Sequence, residues 1–436
     1  MTTDNGKQSV GSPLFNQTIH RTVLDNGIVV LVAENPAADI IAARIFVRAG
    51  SCWEPREQAG LAHLLSAVLT KGTPELSSLE IAERVESVGA SLSADAAADY
   101  FLLSLKTVTS DFAEILRLAG QLLRSPTFPE VEVELERRLA MQAIRSQQEQ
   151  PFTIAFEQLR QVMYQNHPYA LSGLGTEATV SQLRSCDLQH YHQTYFRPDN
   201  IVISLAGRVT LKDAVALVEQ VFGDWQAPAT PLPTLTLPTL TPQPCQKMQP
   251  LQTQQSIVML GYLAPSVQNA DYTALKLLST YLGNGLSSRL FVELREKRGL
   301  AYDVSAFYPT RLDAAPFVVY IGTAPENTAI ALEGLRTEVE LLCTTQLSED
   351  ALQAAKNKLL GQYALGKQTN SQLAQLFGWY ETLGLGIAFD TQFQENVAGV
   401  TAAMAQQAAC QYLPHPYISL LGPESAINHL VAPGAV

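Results

Sequence analysis

Residues 60–73, GLAHLLSAVLTKGT, have the spacing of a metal-binding helix without its donors. Leu61, Ala62, Leu64, Leu65, Val68 and Leu69 give a buried helical pattern. His63, Ser66 and Ala67 fall at i, i+3 and i+4 and so share one face of that helix. With Glu and His at the last two places the face would read H-x-x-E-H, which pairs two zinc ligands with a general base. It reads HLLSA instead. A lone imidazole does not hold zinc at useful affinity, and a hydroxyl is far too weak a base to replace a carboxylate. His63 therefore reads first as a core histidine.

A second chemical feature is basic. In GNGLSSRLFVELREKRGLAYDVSAF, residues 283–307, Ser287 or Ser288 is placed to cap a helix with Leu290, Phe291 and Leu294 in its buried stripe. Gly299 should end that helix, with Arg295, Lys297 and Arg298 near the negative end of its dipole. LAYDVSAF follows as a strand. Arg295 in the last turn and Tyr302 at the strand start would come to one surface if the chain reverses sharply. Taken alone, Arg295 reads as a solvated helix-end charge and Tyr302 as a half-buried strand residue.

Other candidates carry less. His190 and His192 sit two apart and diverge on a helix, while His20, His167, His415 and His429 are isolated. YLGNG, residues 281–285, reads as a turn between two helices and lacks the GK[ST] of a phosphate loop.

The elements that must position these residues come in two sets. At 436 residues the chain exceeds one ordinary core. APATPLPTLTLPTLTPQP, residues 227–244, has six prolines and no charge, so it should be an extended connector. The stretches on either side rhyme. HYHQTYFRPDNIVISLAGRVT runs from helix to apolar strand, and AAMAQQAACQYLPHPYISLLGPES repeats that order about 217 residues later, with Tyr412 matching Tyr195. VEVELERRLAMQAIRSQQEQPFTIAFEQL has a counterpart in SEDALQAAKNKLLGQYALGKQTNSQLAQLF. GIVVLVAEN, IIAARIFVRAG and IVISLAG read as strands, and ASLSADAAADYFLLSLKTV as a strand or hairpin. Helices are expected at about 111–123, 129–149 and 152–164. Without regular βαβ alternation each set reads as α+β, an antiparallel sheet with helices on one face. The expected division is a disordered tail at 1–17, a domain at 18–226, a linker at 227–246 and a second domain at 247–436.

Composition narrows the function. A formal net charge of −12 argues against nucleic acid. The five cysteines are scattered, odd in number and without C-x-x-C spacing, as in reduced thiols of a cytosolic protein. The polar start lacks the basic end and apolar run of a signal peptide, and no stretch reaches the roughly 18 apolar residues of a membrane span. A cytoplasmic protein without a membrane partner is expected.

GSCWEPREQAGLAHLLSAVLTKGT, with the later RLF-ELREKRGLAY run, resembles the pitrilysin/insulinase-type zinc peptidases. Similarity is greatest to the subgroup of mitochondrial processing peptidase and bacterial two-subunit relatives, over roughly residues 18–425. The resemblance implies two homologous domains and a zinc site of two His and a Glu, with a second Glu to polarise water. Carried over, His63 is the first ligand, Ser66 stands at the catalytic Glu, Ala67 at the second His, and Ala143, in ERRLAMQAIRS, at the third ligand. It also gives Arg295 and Tyr302 a role: the first would bond a substrate carbonyl, the second the oxyanion, across a chamber from a zinc site on a partner chain. The implied protein is the non-zinc subunit of a heterodimeric metalloendopeptidase acting on peptide or unfolded polypeptide, with no metal of its own and zinc in the partner. The alternatives are an inert scaffold of the same fold and a stand-alone peptide-binding module.

Overall fold

Two runs, IIAARIFV and IVISLAG, are apolar at nearly every position rather than at alternate ones, which is the pattern of strands covered on both faces. The computed structural model, which describes residues 8–11 and 18–430, makes them central strands of one sheet. In chain order the strands are β1 Gln8–Gly11, β2 Thr18–Val23, β3 Val29–Glu34, β4 Ile40–Val47, β5 Ser91–Ala96, β6 Phe101–Val108 and β7 Ile201–Gly207. A second series comprises β8 Gln246–Pro250, β9 Ser256–Ala264, β10 Asp303–Phe307, β11 Ala315–Thr323 and β12 Tyr417–Gly422. Of the stretch expected as a tail, residues 1–7 and 12–17 lie outside the described residues, and Gln8–Gly11 pair with β2.

The seven-stranded sheet has the order β1-β2-β3-β7-β4-β6-β5, and the five-stranded sheet β10-β11-β9-β12-β8. Read from β3 and from β8, the two orders are the same, with the same sense at every pairing. β3 lies parallel to β7 as β8 does to β12, and the other pairs are antiparallel. The same topology thus occurs twice, in the α+β class expected. Neither sheet is purely antiparallel, however. Long helical crossovers return β7 and β12 beside strands that run in their own direction, which a hairpin could not do.

The described residues form two compact units: those within Met1–Ile144, Ser172–Thr236 and Tyr363–Gln392 make one, and those within Arg145–Leu171, Leu237–Gln362 and Phe393–Val436 the other. Each unit therefore takes in a segment from beyond the prolines. In the first, Ile41, Ala43, Ile45 and Val47 face the helices Leu61–Val68, Phe112–Arg124 and Leu211–Phe222. Ala42 and Phe46 face Leu373, Ala374, Phe377 and Tyr380 of the helix Asn370–Thr382. That helix is fastened by Arg21, which donates to both Glu381 carboxylate oxygens at 3.1 and 2.9 Å.

In the second unit the helix Pro151–Tyr164 plays the equivalent part on β9 and β12. Gly261 leaves room for Leu159 and Met163, and Ser419 Oγ donates to Ala155 O at 2.8 Å. The helices Tyr272–Gly283 and Thr328–Thr344 also pack on this sheet. The expectation of helices on one face is corrected for the first sheet, whose two sides contribute to separate apolar clusters. The two-sided burial already written into β4 and β7 requires it. Among the described residues no helix is long and apolar enough to cross a membrane.

Gly378 tests the seating of the Asn370–Thr382 helix. A Cβ there would lie 2.4 Å from Phe46 Cε2 and 2.8 Å from Ser204 Cβ. Ala in a helix interior normally gains about 1 kcal/mol over Gly, whereas overpacking costs about 1–3 kcal/mol. Gly378→Ala should therefore lower stability by about 1 kcal/mol in urea unfolding. A stabilised variant would show that the helix does not sit this close.

Candidate functional site

The helix Leu61–Val68 starts from Gly60, whose φ of 96° is a left-handed turn that favours glycine. Its free N-terminal amides are met by a carboxylate from six residues upstream. Glu54 accepts from Gly60 N at 2.8 Å and from Ala62 N at 2.6 Å. Burial pushes Glu54 up to about 8 against those donors. No sequence motif marked Glu54, because it caps a helix across an intervening turn.

On the face that would hold metal, Ser66 is 6% exposed and donates to His63 O at 2.7 Å, so its hydroxyl serves its own helix. His63 is half-buried, and burial lowers its pKa despite Asp95 and Glu136. Glu136 is paired with Lys71 at 2.9 Å. Ala67, and Ala143 on the helix Glu130–Gln147, contribute methyl groups. One imidazole, one committed hydroxyl and two methyls do not fit a zinc ion. Among the described residues no three His, Cys, Asp or Glu side chains gather to hold any metal.

His192 and His167 are structural. His192 is buried on the helix Ser185–Tyr195, and its Nε2 donates to Leu123 O at 2.9 Å, while His190 is exposed. His167 is fully buried: Nδ1 accepts from Tyr169 N at 3.1 Å, which leaves the proton on Nε2, 3.1 Å from Asp313.

The basic segment is built differently from the expected α-helix. After the turn at Gly285, with φ +79°, it widens to a π-helix over Phe291–Glu296, where Lys297 N bonds Val292 O at 3.0 Å. Ser288 takes part through its carbonyl, which accepts from Val292 N at 3.0 Å. Its Oγ is buried with no hydrogen-bond partner among the described residues, so side-chain capping by Ser288 is corrected to a backbone role. Gly299, with φ +63°, ends the run as read from sequence. Leu300 N closes it on Leu294 O at 2.9 Å, and Tyr302 N then bonds Gly322 O at 2.8 Å where β10 begins.

Four cations lie in this segment, and three are engaged. Arg289 meets Glu338 at 2.7 Å and Glu293 at 3.1 Å, Lys297 meets Glu293 at 2.7 Å, and Arg298 lies 3.6 Å from Glu338. Arg295 is exposed, lies over the Phe291 ring at 5.0 Å, and makes no ion pair among the described residues. Tyr302 is 61% exposed. Arg295 and Tyr302 are singled out by the family resemblance alone, and neither it nor any motif marks Glu338, which is distant in the chain.

The family described as insulinase (peptidase family M16) matches residues 29–177, and that described as the peptidase M16 inactive domain matches residues 183–359. Similar proteins include an uncharacterized zinc protease, YmxG, of Bacillus subtilis, 27% identical over 84% of this chain and 90% of that one. Another is an uncharacterized zinc protease of Streptomyces coelicolor, 27% identical over 93% and 90%. Among solved structures, a protease from Helicobacter pylori aligns with a TM-score of 0.88 at 22% identity, covering 93% of this chain and 99% of that one. A peptidase M16 inactive domain from Pseudomonas fluorescens aligns at 0.86 and 23%, covering 93% and 98%.

Burial lowers the His192 pKa to about 4 from its ordinary 6.5. Between those values the unfolded chain takes up a proton that the folded chain refuses. The His192 contribution is therefore full above pH 6.5 and is lost as pH drops towards 4, by about 2 kcal/mol at pH 5. Glu54, pushed up to about 8, gains stability over the same fall in pH, so His192 is read from the difference between two proteins. From pH 7 to 5 the urea midpoint of His192→Gln, which retains an N–H for Leu123 O, should fall less, or rise more, than that of the wild type. An equal pH response in both proteins would refute the assignment.

Proposed function

Because this chain belongs to the peptidase M16 family, we propose that it is the non-zinc subunit of a two-chain metalloendopeptidase. In this reading it grips extended or unfolded polypeptide through Arg295 and Tyr302, and a homologous chain with an intact H-x-x-E-H helix supplies zinc and the general base. The observation that carries it is the contrast between two helices. One, Leu61–Val68, has a hydroxyl and a methyl at Ser66 and Ala67 where the family's zinc site has a base and a donor, and Ala143 on Glu130–Gln147 adds a second methyl at the third ligand's place. The other leaves one cation, Arg295, without a carboxylate while its three basic neighbours are engaged.

The chemistry follows from the side chains. A guanidinium presents several N–H donors in a plane and suits a peptide carbonyl, and its exposure here leaves those donors to water until a ligand displaces it. A tyrosine hydroxyl can donate to the oxygen that becomes negative as a carbonyl turns tetrahedral. One such donor elsewhere is worth about 3 kcal/mol of transition-state stabilisation. Arg295 would then act mainly on binding, and Tyr302 mainly on turnover. A catalytically inert scaffold of the same fold is the second reading, favoured by the same loss of donors around His63 but leaving the free cation unused.

Cleavage of fluorescein-labelled casein separates them. The purified chain should cleave none, and the mixture with its H-x-x-E-H partner should cleave it. In the mixture Tyr302→Phe should lower kcat by about 100-fold, as for loss of one oxyanion donor, and Arg295→Ala should raise KM. Chelator-sensitive cleavage by this chain alone would sink the proposal, and wild-type rates from both variants would leave the scaffold.

A further inference from the structure

The π turn that carries Arg295 is an uncommon geometry, and its i→i+5 bonds do not explain why it persists in place of an ordinary α-helix. The support comes from the helix Thr328–Thr344, where Gly334 and Glu338, one turn apart, lie on one face. A Cβ on Gly334 would come 2.8 Å from Leu294 Cδ2 and 3.5 Å from Arg298 Nη1, so the absence of a side chain there admits both residues. Glu338 is 2% exposed. Its Oε2 accepts from Arg289 Nε at 2.7 Å, and its Oε1 lies 3.6 Å from Arg298 Nη2. One buried carboxylate thus touches the residue that leads into the wide turn and the residue that follows it.

The register matters because each helical residue advances about 100°. Relaxing the wide turn to an α-helical one removes one residue from the loop and would swing Arg295 by about that angle relative to Arg289. We propose that Glu338 is a positioning residue, bridging Arg289 and Arg298 to hold the turn that aims Arg295 at substrate. This rests on the peptide-binding reading of Arg295, although the clamp itself can be judged without it.

Glu338→Gln keeps the shape and removes the charge. Arg298→Gln weakens the same bridge from a more exposed position, should Glu338→Gln fold poorly. Hydrogen exchange on the full chain, followed by mass spectrometry, should show the amides of Lys297, Gly299 and Leu300 exchanging at least ten-fold faster in either variant, with β11 amides such as Val319 unchanged. Anisotropy of fluorescein-labelled reduced casein should then show weaker binding by Glu338→Gln and by Arg295→Ala, and no further loss when the two are combined. A purely structural effect would add instead. Unchanged exchange in a folded Glu338→Gln or Arg298→Gln variant overturns the clamp. Altered exchange with wild-type casein binding by Glu338→Gln, where Arg295→Ala binds poorly, overturns the positioning role. Should Arg295→Ala itself bind as wild type, the peptide-binding reading of Arg295 and the positioning role fall together, and exchange alone decides whether Glu338 clamps the turn.

Discussion

Two-sided burial of the central strands governs this molecule. β4 and β7 carry apolar side chains on both faces, so a sheet covered on one side only would leave Phe46, Val202 and Leu31 in water. Within each compact unit the second cover is a helix encoded on the other side of the proline-rich connector. Asn370–Thr382 serves the first sheet and Pro151–Tyr164 the second. The two positions are equivalent: the first helix lies on β4 and β7, the second on their counterparts β9 and β12. Small residues make room at both, Ser204 beside Gly378 and Gly261 beside Met163. Neither half of the sequence contains all the apolar surface that its own sheet needs.

This constraint explains how a zinc-type helix persists without zinc donors. Leu61, Leu64, Leu65 and Val68 belong to the first core and are fully or almost fully buried, whereas positions 63, 66 and 67 lie on other faces. Packing holds the helix, and chemistry would occupy a different stripe of it. Ser66 is small enough to be enclosed and satisfies its hydroxyl on His63 O, so donors can be lost there with little disturbance to the core. Glu54 still caps the N-terminal amides, a task unrelated to metal.

Much of this was legible in the residues. The continuous apolar runs gave the strands, the repeated helix-to-strand order around Tyr195 and Tyr412 gave the doubled topology, and Gly299 marked where the basic helix stops. Periodicity says which face of a helix is buried but not which sheet it is buried against, so the destinations of Pro151–Tyr164 and Asn370–Thr382 could not be read. The parallel pairings were hidden for a similar reason, since strand direction depends on the path of the crossovers. The π register was unreadable locally. Its support comes from Gly334 and Glu338, some 40 residues further along, and a sequence window around Arg295 contains neither.

Electrostatics make the same point at the candidate site. A net charge of −12 says nothing about a single cation. Near Arg295, Glu293 and Glu338 engage Arg289, Lys297 and Arg298, and this local neutralisation holds the backbone. Had Arg295 been paired as well, a ligand carbonyl would have to displace a carboxylate, a far stronger acceptor. Exposed and resting on Phe291, it would exchange only water for a ligand in the proposed role. The two carboxylates therefore act by omission: they engage three cations of this segment and leave the fourth, the Arg295 guanidinium, without a carboxylate among the described residues.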